Sequence, residues 1–151
     1  MSNRILLICS GGGHLVQMSR LAPAVPKEDH LILATVGEPG SFPDRKPDEL
    51  VQLPDFNRQS WRAALAGIPR VFFSVLRLRP THVISTGAAP GVIGILAGRA
   101  CGARTLWIDS IANTRRLSVS GRIALICSSE VYTQWEALSH GQRPAYKGRV
   151  I

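Results

Sequence analysis

The stretch Ile5-Leu6-Leu7-Ile8-Cys9-Ser10-Gly11-Gly12-Gly13-His14-Leu15-Val16-Gln17-Met18 decides the fold. Its apolar run reads as a strand, and the spacing of Leu15, Met18, Leu21 and Ala22 reads as the buried stripe of a helix. Three glycines join the two. Strand, glycine turn and helix together open a nucleotide- or phosphate-handling α/β unit. Glycine lets backbone N–H groups approach a ligand with no Cβ in the way. The helix start adds unpaired N–H donors and partial positive charge. His14 is the side chain of this loop that can move a proton near neutral pH. Gly11, Gly12 and Gly13 are therefore expected to grip a phosphate-bearing substrate, with His14 beside the chemistry.

Outward from this unit the pattern repeats. Strands are expected at 4–9, 30–36, 50–53, 81–86, 104–109 and 124–127, with a last one near Tyr146. Helices are expected at 14–24, 92–101, 117–123 and 131–138. Residues 37–47 read as a surface loop rich in proline and glycine. Alternating strands and helices predict an α/β fold: a Rossmann-like, mostly parallel sheet with helices on both faces, in one domain over residues 1–151. In the doubly wound order the first and fourth strands are neighbours, and ligands bind beyond their C-terminal ends. The second glycine turn, Thr86-Gly87-Ala88-Ala89-Pro90-Gly91, follows the fourth strand, and Asp109 ends the fifth. Three loops thus converge on one crevice.

The segment 58–79 has two readings. Trp61, Leu65, Ile68, Phe72, Val75 and Leu76 fall within about 60° of one helical face, with Arg70 and Arg77 nearly opposite. Pro69 either kinks one helix or starts a second. The segment is a core helix with solvated arginines, or part of it lies on an anionic membrane through Trp61, Phe72, Phe73, Arg77 and Arg79.

The charge is lopsided. Residues 1–55 hold five Lys/Arg and seven Asp/Glu, whereas residues 56–151 hold thirteen and three. A basic face implies an anionic partner. Nucleic acid is not expected, because no recognition motif accompanies the charge and aromatics are few. The three cysteines, Cys9, Cys101 and Cys127, have no C-x-x-C spacing and read as buried reduced thiols. The four histidines lack ligand spacing, so no metal is expected. A strand beginning at Arg4 argues against a signal peptide, and the uncharged stretch 81–98 is broken by its glycine turn; the chain is expected to be soluble or peripheral.

Gly-Gly-Gly-His is neither a dinucleotide fingerprint nor a Walker A loop, so no cofactor is expected. Backbone binding of a diphosphate remains, with His14 as a base for an attacking hydroxyl. Asp109 either caps the next helix or pairs with Arg115 or Arg116, or else binds sugar hydroxyls or orients His14. Thr86, Gly87 and Ala88 join the substrate-binding set. Arg115 and Arg116 stand either as diphosphate ligands or as solvated loop residues.

Taken together, Ser10-Gly11-Gly12-Gly13-His14-Leu15…Met18, Ile84-Ser85-Thr86-Gly87-Ala88-Ala89-Pro90, Trp107-Ile108-Asp109-Ser110…Leu117-Ser118-Val119-Ser120-Gly121-Arg122 and Val131-Tyr132-Thr133-Gln134-Trp135-Glu136 resemble a known family. It is the acceptor-side subunit of split GT-B glycosyltransferases: asparagine-linked glycosylation protein fourteen and its bacterial PssD, CpsF and EpsE counterparts. The chain is also similar to the N-terminal half of MurG-type enzymes. The resemblance implies half an enzyme of polysaccharide biosynthesis, with His14 and Asp109 as catalytic positions. A donor-binding glycosyltransferase subunit would bring the nucleotide sugar. The acceptor would be a polyprenyl-diphosphate-linked sugar. The place would be the cytoplasm, peripheral at the inner face of the plasma membrane. The alternative is a non-catalytic partner that recruits or activates a complete transferase.

Overall fold

The computed structural model describes residues 2–55 and 61–150. Seven parallel strands form one sheet: β1 (Arg4–Cys9), β2 (His30–Val36), β3 (Glu49–Leu53), β4 (His82–Ser85), β5 (Arg104–Ile108), β6 (Glu130–Thr133) and β7 (Ala145–Tyr146). Their order across the sheet is β3-β2-β1-β4-β5-β6-β7. The chain therefore reverses direction between β1 and β4, which pair from Ile5 with His82 to Ile8 with Ser85. This is the doubly wound, Rossmann-like arrangement, and it makes the β1–β4 boundary the place where loops diverge and leave a crevice.

Helix α1 (Gly13–Leu21) covers one face over Leu7, Cys9, Leu31 and Leu33. Helices α2 (Trp61–Leu78), α3 (Ala88–Ala100) and α4 (Val119–Cys127) cover the other, packed in that order over Leu6, Ile8, Val83 and Trp107. The small residues of α3 set its distance from the sheet. A Cβ on Gly94 would lie 2.7 Å from Ile8, and one on Gly98 would lie 2.6 Å from Val83. The helix backbone thus rests directly on the side chains of the two central strands.

Two expectations are corrected. Residues 124–127 are not a strand; they are the last turn of α4, and 131–138 is not a helix but β6 followed by a short 3-10 turn at Glu136–Leu138. The boundary is set by caps. Ser118 Oγ accepts from the N–H of Gly121 and starts α4. At its other end the Arg143 guanidinium donates to the carbonyls of Leu125, Ser128 and Ser129. Ser129 then exchanges hydrogen bonds with Thr105, which fixes where β6 begins beside β5.

A further correction concerns α2. It is one continuous helix with Pro69 inside, and its buried line is Gly67, Val71 and Val75. Leu65 and Ile68, expected on the packed face, are 63% and 43% exposed. The apolar face of this helix is wider than the sheet can cover, and its flank is left in solvent. Among the described residues no helix is long and apolar enough to cross a membrane.

Candidate functional site

The C-terminal edge of the sheet brings the two glycine loops together. Gly12 (φ 70°) is the N-cap residue of α1 and Gly87 (φ 146°) that of α3, and neither start carries a side-chain cap. Their first N–H groups are donors without helical partners, at the positive ends of two helix dipoles. A reciprocal pair of bonds latches the loops. The Thr86 hydroxyl donates to the His14 carbonyl at 2.8 Å, and His14 Nδ1 lies 2.9 Å from the Thr86 carbonyl. A carbonyl only accepts, so Nδ1 carries the proton. In the neutral ring Nε2 is then the unprotonated nitrogen, able to act as a base.

Gly87 makes this contact possible. A Cβ there would stand 2.2 Å from Cε1 of His14 and 2.4 Å from Nδ1. The imidazole occupies the space that a side chain at this position would fill. Ala88, at φ 67°, holds a left-handed conformation that an alanine adopts only under constraint.

Asp109 lies 1% exposed at the end of β5. Its Oδ1 accepts from Trp107 Nε1 at 3.0 Å and from Ser118 Oγ at 2.6 Å. Its Oδ2 accepts from Asn113 Nδ2 at 2.9 Å and from the Ser118 N–H at 3.0 Å. Both oxygens are committed to closing the loop between β5 and α4. Arg115 and Arg116 ride on that loop, exposed and without an ion pair among the described residues.

Sequence reasoning missed a buried amide pair. Gln17 Nε2 donates to the Gly13 carbonyl and to Ser110 Oγ, and its Oε1 accepts from the Ile111 N–H. Gln134 Nε2 donates to Gln17 Oε1 and to the Asp109 carbonyl. Gln134 Oε1 accepts from the Val150 N–H, and Arg149 stacks 4.3 Å from the centre of the Trp135 ring. The pair thus ties α1, the ends of β5 and β6, and the last residues into one floor. The available signal was a glutamine among apolar helix residues, one turn after the glycines.

Cys9, at the end of β1, is not an available nucleophile: burial pushes its thiol up to about 12. Cys101 is exposed and Cys127 half-buried, so only Cys9 fits the buried-thiol expectation. Among the described residues no cluster of His, Cys, Asp and Glu could hold a metal ion.

The proposed membrane residues divide. The Trp61 side chain lies outside what the structure describes. Phe72 is half-buried and meets Phe73 edge-on at 6.1 Å. Phe73, Arg77 and Arg79 are exposed. A groove of about 680 Å³ runs between the end of β3 and α2, walled by Leu53, Pro54, Arg70, Phe73 and Arg77.

The fold is one Rossmann-like half of the GT-B type. Solved structures with this fold include MurG of Acinetobacter baumannii, at 12% identity and a TM-score of 0.66, over 92% of this chain and 43% of that one. UDP-N-acetylglucosamine 2-epimerase of Rickettsia bellii matches at 14% identity and 0.68, over 91% and 40%. MnaA of S. aureus, solved with UDP, matches at 16% and 0.63, over 89% and 38%. The chain spans about two-fifths of each of these proteins. No protein-family model matches it, and no curated protein matches its sequence.

Proposed function

We propose that this chain is the acceptor-side half of a two-component glycosyltransferase. The observation that carries the reading is the latch: two uncapped helix starts held side by side, with His14 between them and its Nδ1 turned to the Thr86 carbonyl. Two such N-termini suit a diphosphate. Gly11, Gly12, Gly13, Thr86, Gly87 and Ala88 would hold the diphosphate of a polyprenyl-linked acceptor, and Arg115 and Arg116 would add charge from the loop. The donor-binding partner would bring the nucleotide sugar across the cleft.

The reaction then balances as a displacement at the anomeric carbon. The acceptor hydroxyl oxygen bonds to that carbon, the bond from the carbon to the nucleotide's phosphate oxygen breaks, and the hydroxyl proton passes to His14 Nε2. The nucleotide diphosphate leaves with the bonding pair. Asp109 serves as a positioning residue in this reading, because its oxygens hold the 110–118 loop in place. The lipid-linked acceptor would sit at the cytoplasmic surface of the plasma membrane, where exposed Phe73, Arg77 and Arg79 provide apolar and cationic contacts.

The test is His14→Ala in the reconstituted pair with a lipid-diphosphate acceptor and nucleotide sugars. Turnover should fall by about 10²–10⁴-fold with assembly intact, the range expected for loss of a general base. Unchanged turnover overturns the catalytic role and favours a recruiting or activating subunit.

A further inference from the structure

We propose that Gln17 and Gln134 are positioning residues for the first glycine loop, acting as a buried chain of aligned amides that ends on the peptide between Gly13 and His14. This role rests on the diphosphate reading of the two glycine loops and adds two buried side chains that lie behind them.

The links run in one direction. The Val150 N–H donates to Gln134 Oε1 at 2.8 Å. Gln134 Nε2 donates to Gln17 Oε1 at 2.5 Å, and Gln17 Nε2 donates to the Gly13 carbonyl at 3.2 Å. That carbonyl belongs to the planar peptide whose other end is the His14 N–H. In a trans peptide the two groups point opposite ways, so this N–H faces away from Gln17, out of the start of α1. The helical ladder opens with the Val16 N–H on the Gly12 carbonyl, and the His14 N–H precedes it. The amide dipoles thus stand head to tail and finish on a donor at the mouth of the helix.

Neither amide can turn round. A backbone N–H only donates, so Gln134 must aim its oxygen at Val150, and Gln17 must aim its oxygen at Ile111, whose N–H lies 3.2 Å away. The nitrogens are left to face Gln17 and Gly13. The second N–H of each amide is used as well: Gln17 reaches Ser110 Oγ at 3.3 Å, and Gln134 reaches the Asp109 carbonyl at 3.0 Å. Gln17 is 6% exposed and Gln134 1%, so water does not compete for these bonds.

Stability alone does not call for two amides here. An apolar pair of the same volume avoids their desolvation and is often as stable. What the amides add is field and geometry. Away from water each hydrogen bond polarises the next, by about 10–30% per bond. The His14 N–H becomes a stronger donor to an anion, and Gln17 fixes the tilt of its peptide. The Thr86 hydroxyl holds the next carbonyl along, that of His14, at 2.8 Å. Two successive peptides at the start of α1 are therefore set by side chains, one on each side of the proposed base.

The experiment titrates the chain alone with inorganic diphosphate, followed by calorimetry and by the proton–nitrogen resonance of the His14 amide. No lipid, nucleotide sugar or partner is added, so the result is independent of transferase activity. Gln134→Met keeps the volume and breaks the chain two links from the loop. It should weaken diphosphate binding about two- to fourfold and move the His14 amide proton upfield, with the circular-dichroism spectrum retained. Gln17→Met should weaken binding about tenfold. Because the links are in series, adding Gln134→Met to Gln17→Met should cost nothing more, whereas two independent packing defects would multiply. The proposal is overturned if Gln134→Met binds diphosphate like the original chain, or if the two losses multiply in the double variant. Should Gln17→Met fail to fold, Gln134→Met decides alone by the same two readouts. If the original chain does not bind diphosphate, the reading of the glycine loops falls and this proposal with it. Diphosphate binding that depends on Gln134, together with unchanged turnover of His14→Ala, keeps the amide chain and removes only the catalytic role of His14.

Discussion

Replacing Gly87 by alanine tests the latch at its tightest point. Gly87 has φ 146° and ψ −176°, a region open to glycine and closed in practice to other residues. Holding an alanine there costs about 1–3 kcal/mol. The new Cβ would also stand 2.2 Å from His14 Cε1 and 2.4 Å from Nδ1, so the ring must move. Overpacking of that kind costs about 1–3 kcal/mol. Moving the ring breaks the bond from Nδ1 to the Thr86 carbonyl, worth about 1 kcal/mol. Ring displacement relieves part of the overlap, so we expect a total of about 3–5 kcal/mol. For a chain of this size that lowers the melting temperature by roughly 6–20 °C. Two controls separate the causes. Gly12→Ala has positive φ (70°) but no atom within 4 Å of the added Cβ, so it carries strain alone, about 1–3 kcal/mol. Gly13→Ala has neither and should change stability by less than about 1 kcal/mol. Urea titration followed by circular dichroism orders the three. If Gly87→Ala melts with Gly13→Ala, the loops are not held as described and the assignment of Nδ1 as the protonated nitrogen falls with them.

Asp109→Ala would orphan the Trp107 indole N–H and the Ser118 amide in a buried site, and should destabilise by about 2–4 kcal/mol in urea titration. An effect confined to turnover, with stability intact, would contradict its positioning role. Asp48 is held below its ordinary value of 3.8, first by its hydrogen bond from Arg45 and then by the Leu31 N–H. A carboxyl depressed in the fold stabilises it above the unfolded value and loses that contribution as the pH falls through the folded one. Asp48→Asn should therefore lower the urea midpoint near pH 6 and converge with the original protein as acid protonates the carboxyl of the folded state; an equal loss near pH 6 and in acid would show that the carboxylate charge is not the cause.

Much of the edge that carries the candidate site was legible in advance. The glycine loops and the place of Asp109 at the end of β5 follow from periodicity and turn chemistry, which are local, and the adjacency of β1 and β4 follows from the doubly wound order. The boundary between α4 and β6 was not legible. Ala124 to Cys127 is apolar enough for either state, and Ser118, Arg143 and Thr105 decide it from positions distant in the chain. Asp109 was legible as an unusual acid but not as a strut, because its partners come from β5, the loop and the start of α4.

The sequence by itself determined that residues 4–21 form strand, glycine turn and helix, and that the basic charge falls on the second half of the chain. Both are properties of neighbouring residues and of composition. Only the tertiary structure decided which apolar residues are covered. Gly94 and Gly98 bring α3 down onto Ile8 and Val83, Gly121 brings α4 down onto Asp109, and Val71 and Val75 turn α2 inward. Leu65, Phe73, Ile123 and Ile126 are left outside by that packing. Backbone approach is set by the smallest residues at each contact, so hydrophobicity along the chain could not show which side chains the fold would leave in solvent.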